Sequence, residues 1–135
     1  MPEAVYLTKA RAEKAFALAE PTILKMMETV ANKKAIHAVV LGIDGEVLHE
    51  ASLGPNVEAD AERLATCKVV ARGKAAIHFR TGRPAAEIQA RRPNTLIVGD
   101  TIWGGSASYE DVIVAVSGIQ GFFDESIAGM IAAIL

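Results

Sequence analysis

The sequence predicts an α+β domain in which an antiparallel sheet carries packed helices. Three observations predict it. Apolar residues recur at three- and four-residue spacing over residues 8–32 and again from about 56 to 81. The pair Asp44-Gly45 sits between two β-rich runs, a strong hairpin signal. The connections between elements are short, which favours neighbouring strands that run antiparallel.

Taken in order, residues 8–32 form an amphipathic helix, with Phe16, Ala19, Ile23, Met26 or Met27, and Val30 on its apolar side. Thr8 suits the N-cap, although Arg11 does not complete a capping box. Pro21 predicts a kink or a restart. Residues 35–41 read as a buried strand and 46–52 as its hairpin partner. Gly54-Pro55 ends the hairpin, and Asn56 is placed to cap a second helix that stops at Gly82. Its predicted apolar face holds Val57, Ala61, Leu64, Ala65, Val69, Ala75 and Phe79, with Gly73 a weak spot or a close-packing point. Pro84 opens a further turn through Gln89. Two more strands are predicted at 95–98 and 112–116, then a helix beginning near Asp124. That last helix is apolar around much of its circumference, with Ile127, Ile131, Ile134 and Leu135, which predicts a homo-oligomer.

The bulk numbers narrow the function classes. A chain of 135 residues forms one domain, 1–135, and a composition 51% hydrophobic but only 5% aromatic makes its core aliphatic. A net charge of −2 gives no footprint for nucleic acid. The single cysteine, Cys67, excludes an internal disulfide framework, and no Cys/His spacing suggests zinc. The charged N-terminus shows no signal-peptide pattern, and no apolar run approaches the roughly 18 residues of a membrane span. The expectation is a soluble cytoplasmic protein.

Unusual residues gather between the last two strands. There Gly99, Asp100, Trp103, Gly104, Gly105, Ser106, Ser108 and Tyr109 make a glycine- and hydroxyl-rich loop of the kind that builds small-molecule sites. The double glycine can serve as a turn or can present backbone N–H groups to an anion. Trp103 suits a ligand or interface wall. For proton transfer the candidates are Asp100, Tyr109, Glu110, Asp111 and Asp124. Asp124 also suits an N-cap, and Lys74 suits either a carboxylate contact or plain solvation. Ser106, Ser108 and Ser117 lack the spacing of a hydrolytic triad. Cys67 reads as a small buried residue. Pairing about the Asp44-Gly45 turn sets His37 opposite residue 52, with His49 diagonal to it, and His78 near a helix end.

Several of these stretches together resemble a known family. Gly104-Gly105, the strand VIVAVSG at 112–118 and the helix start at Asp124 through Ala128 resemble the C-terminal signature of the GlcG/HbpS-like haem-binding family. That family includes the C-terminal domain of PduO-type proteins. The segment from Val70 to Lys74 and Ala75, with Pro84 beyond it, and the hairpin AVVLGIDGEVL are similar to its other motifs. The resemblance implies a profilin-like fold with a five-stranded antiparallel sheet flanked by helices, assembled as a dimer or larger oligomer. It also implies haem or a related tetrapyrrole as ligand, for which His49 and His78 are the axial candidates. Trp103, Gly104, Gly105, Ser106 and Lys74 are then the ligand-binding candidates. No other cofactor or metal is indicated. The alternative is a cofactor-free enzyme of small-molecule catabolism acting through the acid/base residues near the loop.

Overall fold

The computed structural model describes residues 6–29, 33–109 and 112–135. Val30, Glu110 and Asp111 lie outside them. Helix α1 (Lys9–Thr29) leads to strands β1 (Ile36–Leu41) and β2 (Val47–Leu53), then helices α2 (Ala61–Thr81) and α3 (Ala85–Arg91). A 3-10 turn (Pro93–Thr95), strands β3 (Ser106–Tyr109) and β4 (Val112–Ser117), and helix α4 (Gly121–Ile134) complete the order.

The sheet runs β2-β1-β4-β3 with every neighbouring pair antiparallel. Period-two alternation divides its side chains between two layers. Ile36, Ala38, Val40, Val114 and Val116 pack with α1 and α4, whereas Val39, Leu41 and Ala115 pack with Ala71 and Ala75 of α2. The fold class is the predicted α+β, with four strands among the described residues rather than five.

The strand expected at 95–98 does not form, and Ser106–Tyr109, expected as loop, is a strand instead. Thr95 belongs to the 3-10 turn, and Val98 is wholly exposed. Asp100 closes the segment into a turn by accepting the N–H of Ile97 at 2.8 Å, so no ladder forms there. The hairpin came out as read: Asp44 Oδ1 accepts the N–H of Glu46, Gly45 adopts φ +84°, and His37 pairs with Ser52. Thr8 caps α1 through the N–H of Arg11, and α1 continues through Pro21 without restarting. Helix α2 begins at Ala61 rather than Asn56, because residues 55–60 form turns in which Asn56 bonds Lys34 and Asp60 through its backbone. A Cβ on Gly73 would lie 3.4 Å from the Thr101 side chain, an ordinary contact, so packing does not require glycine there.

The buried stripe of α2 is rotated from its predicted face. Leu64, Cys67, Ala71, Lys74, Ala75, Ile77 and His78 are buried, while Val69 and Phe79 are exposed. Two polar residues inside the stripe disguised it in the sequence. Helix α4 buries Ile127, Ala128, Ile131 and Ala132 against its own sheet and α1, so most of its apolar surface is used within the chain. Phe122 and Ile134 stay exposed.

His37 is a buried histidine with both ring nitrogens bonded, Nδ1 to Ser52 Oγ and Nε2 to Glu50 Oε1, each at 2.9 Å. Burial lowers the His37 pKa although Glu50 pulls the other way. Arg72 on α2 closes this cluster by a bidentate contact with Glu50. Burial raises the Glu50 carboxyl, but bonds from Arg72 and His37 outweigh it and bring the value from 4.5 to about 2. The folded value lies below the unfolded one, so the unfolded state binds the proton first. This stabilisation is complete above about pH 4.5 and is lost as pH falls toward 2. Denaturant midpoints at pH 5 and pH 3 check it: the wild type loses stability between them, and Glu50→Gln flattens that slope.

Candidate functional site

A cavity of about 390 Å³ opens where α2, the Gly104-Gly105 loop and the β4–α4 turn converge. Helix α2 supplies Arg63, Cys67, Val70 and Lys74, which recur every three or four residues and so share one helix face. The loop adds Trp103 and Gly104, and the turn adds Ser117 through Gly121 and then Asp124.

At its base lies a buried ion pair. Lys74 is 1% exposed and Asp124 3%. Lys74 Nζ donates to Asp124 Oδ2 at 3.2 Å and to the carbonyl of Val116 at 2.7 Å. The other carboxylate oxygen, Oδ1, accepts the N–H of Ile119 at 3.1 Å. Burial lowers the Lys74 pKa and raises that of Asp124, while each opposes the other's shift by attraction.

The pair explains Gly105, and Ala86 explains Gly104. A Cβ on Gly105 would lie 2.7 Å from Asp124 Cβ, 2.8 Å from Lys74 Nζ and 2.8 Å from the Val116 carbonyl oxygen. On Gly104 it would lie 2.6 Å from Ala86 Cβ. Here the glycines admit close neighbours. Asp124 is not the N-cap of α4, which is Gln120, but sits inside the first turn and reaches back to Ile119.

Charge around the mouth is positive. Lys33 is exposed at the rim and has no ion-pair partner among the described residues. Arg63 donates to the carbonyls of Ala35 and Gly118 at 2.8 and 3.0 Å and to Asp60 at 3.2 Å, fixing the turn that forms one wall. The N-terminal end of α4 faces the same space, adding the partial positive charge of its free N–H groups. Trp103 is held by its backbone, since Gln89 Nε2 donates to the carbonyls of Trp103 and Thr101, each at 2.8 Å.

The remaining candidates lie elsewhere. Asp100 is paired with Arg80 at 3.1 and 2.6 Å, and this bonding holds its carboxyl below the ordinary value. Tyr109 is exposed at the end of β3. Ser106 is buried against His78. His49 stacks edge-on against Phe16 of α1 with ring centroids 4.7 Å apart, on the sheet face away from His37. Neither His49 nor His78 lines this cavity. Its lining has no histidine, methionine or tyrosine among the described residues, and Cys67 Sγ already takes an N–H from Arg63 at 3.6 Å. The cavity therefore does not fit a haem iron that needs an axial side chain.

Reasoning from sequence missed Arg63 and Lys33. Arg63 had a findable signal, its helical spacing from Cys67, Val70 and Lys74.

No protein-family model matches the chain. No curated protein matches it in sequence. Among solved structures it is similar to HbpS of Streptomyces reticuli, crystallised as a double mutant, with a TM-score of 0.66 and 20% identity over 100% of this chain and 90% of that one. The chain has a GlcG/HbpS-like fold. No helix among its described residues is long and apolar enough to cross a membrane.

Proposed function

We propose that this protein is a cytoplasmic, homo-oligomeric small-molecule-binding domain whose site is the Lys74–Asp124 cavity. Its ligand is a small organic acid with a planar body. The observation that carries this is a cavity with a cationic rim and one aromatic wall: Lys33 and the start of α4 beside Trp103. A carboxylate suits the first two, and a flat apolar group suits the third. Assembly is supported by the exposed apolar loop of Ile97, Val98, Ile102 and Trp103, which continues the cavity rim. One unpaired, buried cysteine suits a reducing compartment. The charge balance suits no nucleic-acid partner.

Trp103 is the one tryptophan of the chain, so its fluorescence reports on this cavity alone. Benzoate is expected to give a saturable change, benzamide a weaker one, and Lys33→Gln is expected to weaken benzoate about threefold. Equal binding of the acid and the amide, or no saturable change, sinks the reading. Haem is the ligand implied by family resemblance, and it gets its own arm. Haemin is expected to give no saturable Soret change, since the cavity offers no axial side chain, and a saturable change lost in His49→Ala or His78→Ala would restore the haem reading.

One observation favours a second reading, an enzyme. Lys74 and Asp124 are both shifted toward neutrality beside the ligand space, which suits an acid/base pair acting next to a carbonyl. Deuterium uptake at C3 of 2-oxobutanoate in D2O tests it. Uptake no faster than in buffer removes the catalytic reading and leaves the binding one intact.

A further inference from the structure

A second cavity, of about 370 Å³, shares no lining residue with the first. It lies where the β1–β2 turn meets the end of α2 and strands β3 and β4. Leu7, Leu41, Ile43, Phe79 and Ile113 form the apolar part of its wall, and Tyr6, Ser108 and His78 the polar part. His78, 2% exposed, borders it from α2.

Hydrogen-bond accounting fixes the state of that ring. Ser106 is fully buried, and its Oγ accepts the N–H of Ala85 at 2.9 Å and lies 3.0 Å from His78 Nδ1. The hydroxyl has one proton to donate, and among the described residues Nδ1 is its only acceptor. Ser106 therefore donates to Nδ1, which leaves the proton of the neutral ring on Nε2. Burial favours the neutral ring as well. Nε2 has no hydrogen-bond partner among the described residues, yet no buried side-chain nitrogen is left both sealed and unpaired. Its N–H consequently opens into the cavity that His78 lines.

The geometry points to a binding site for a neutral, largely apolar small molecule with one hydrogen-bond acceptor, a ketone or ester carbonyl, received by the Nε2–H of His78. Among the described residues no charged side chain lines this cavity, so a charged ligand finds no counter-ion in it. A metal ion would need the Nε2 lone pair, and this tautomer occupies that position with a proton. Ser108 at the cavity rim offers a second polar contact.

The test uses acetophenone as the probe and ethylbenzene as the control of similar shape without an acceptor. Titrations of nitrogen-labelled protein are followed at the His78 ring nitrogens and at backbone amides. Acetophenone is expected to bind saturably, to shift His78 Nε2 and the amides of Gly42 and Ile113, and to bind about three- to tenfold tighter than ethylbenzene. His78→Phe removes the donor but also strips Ser106 of its acceptor and can fail to fold. Ile43→Trp at the exposed rim is therefore the companion variant, expected to weaken both probes alike while leaving His78 in place. No saturable binding, equal affinity for the two probes, shifts confined to Gly118 and Gly121 of the other cavity, or a proton found on Nδ1 would each overturn the assignment.

Discussion

Asp124→Ala is expected to cost about 3–5 kcal/mol of folding stability, the largest effect of any side-chain truncation in this chain. The substitution leaves the Lys74 ammonium buried with only the Val116 carbonyl and leaves the N–H of Ile119 without its acceptor. The cost comes from the stranded charge more than from the lost attraction. Lys74→Met is expected to cost a similar amount, since it strands the buried Asp124 carboxylate even though an apolar chain of similar length fills the space. The double change of Lys74→Met with Asp124→Leu is expected to be more stable than Asp124→Ala alone, because it strands no charge. Urea unfolding of the three variants measures the coupling. Additive losses would show that the two groups do not act as a pair.

Gly105→Ala is expected to cost about 3 kcal/mol and to abolish ligand binding in the first cavity. Two penalties combine. The backbone sits at φ +139°, where side chains are strained, and the new methyl meets backbone at Val116 and the Cβ of Asp124 below 3 Å. Gly82 separates these penalties, because it caps α2 at φ +74° with nothing within 4 Å of an added Cβ. Gly82→Ala is expected to cost only about 1 kcal/mol and to leave binding unchanged. A Gly105→Ala protein as stable as Gly82→Ala would mean that the loop can move off the ion pair, and that the glycine is not set by it.

Local chemistry decided which parts of this structure were readable from the chain. The hairpin followed from Asp44-Gly45, and the His37–Ser52 register followed from the turn. Thr8 began α1 through its hydroxyl, and Gly82 ended α2 through the left-handed backbone that glycine allows. What failed depended on burial. Residues 95–98 have the β-rich apolar look of a strand, yet Ile97 and Val98 lie exposed beside a turn closed by Asp100, and no periodicity reports that. The buried face of α2 was misplaced because Lys74 and His78, polar by type, are among its most buried residues. Each is tolerated through a distant partner, Asp124 in one case and Ser106 in the other. Lys74 and Asp124 were each singled out in the sequence for separate reasons, but they are 50 positions apart and only the fold makes them a pair. Trp103 and Gly104 also reached the site, while Asp100 and Tyr109 lie outside its lining.

The central claim is that the cavity over Lys74 and Asp124 receives a small organic acid. A benzoate titration of nitrogen-labelled protein tests it most directly, read at every resolved amide. The account predicts saturable shifts at Gly104, Gly118, Gly121 and the Trp103 indole, with Gly42 and Ile113 unmoved. Saturable shifts that spare those four groups and appear elsewhere would contradict it.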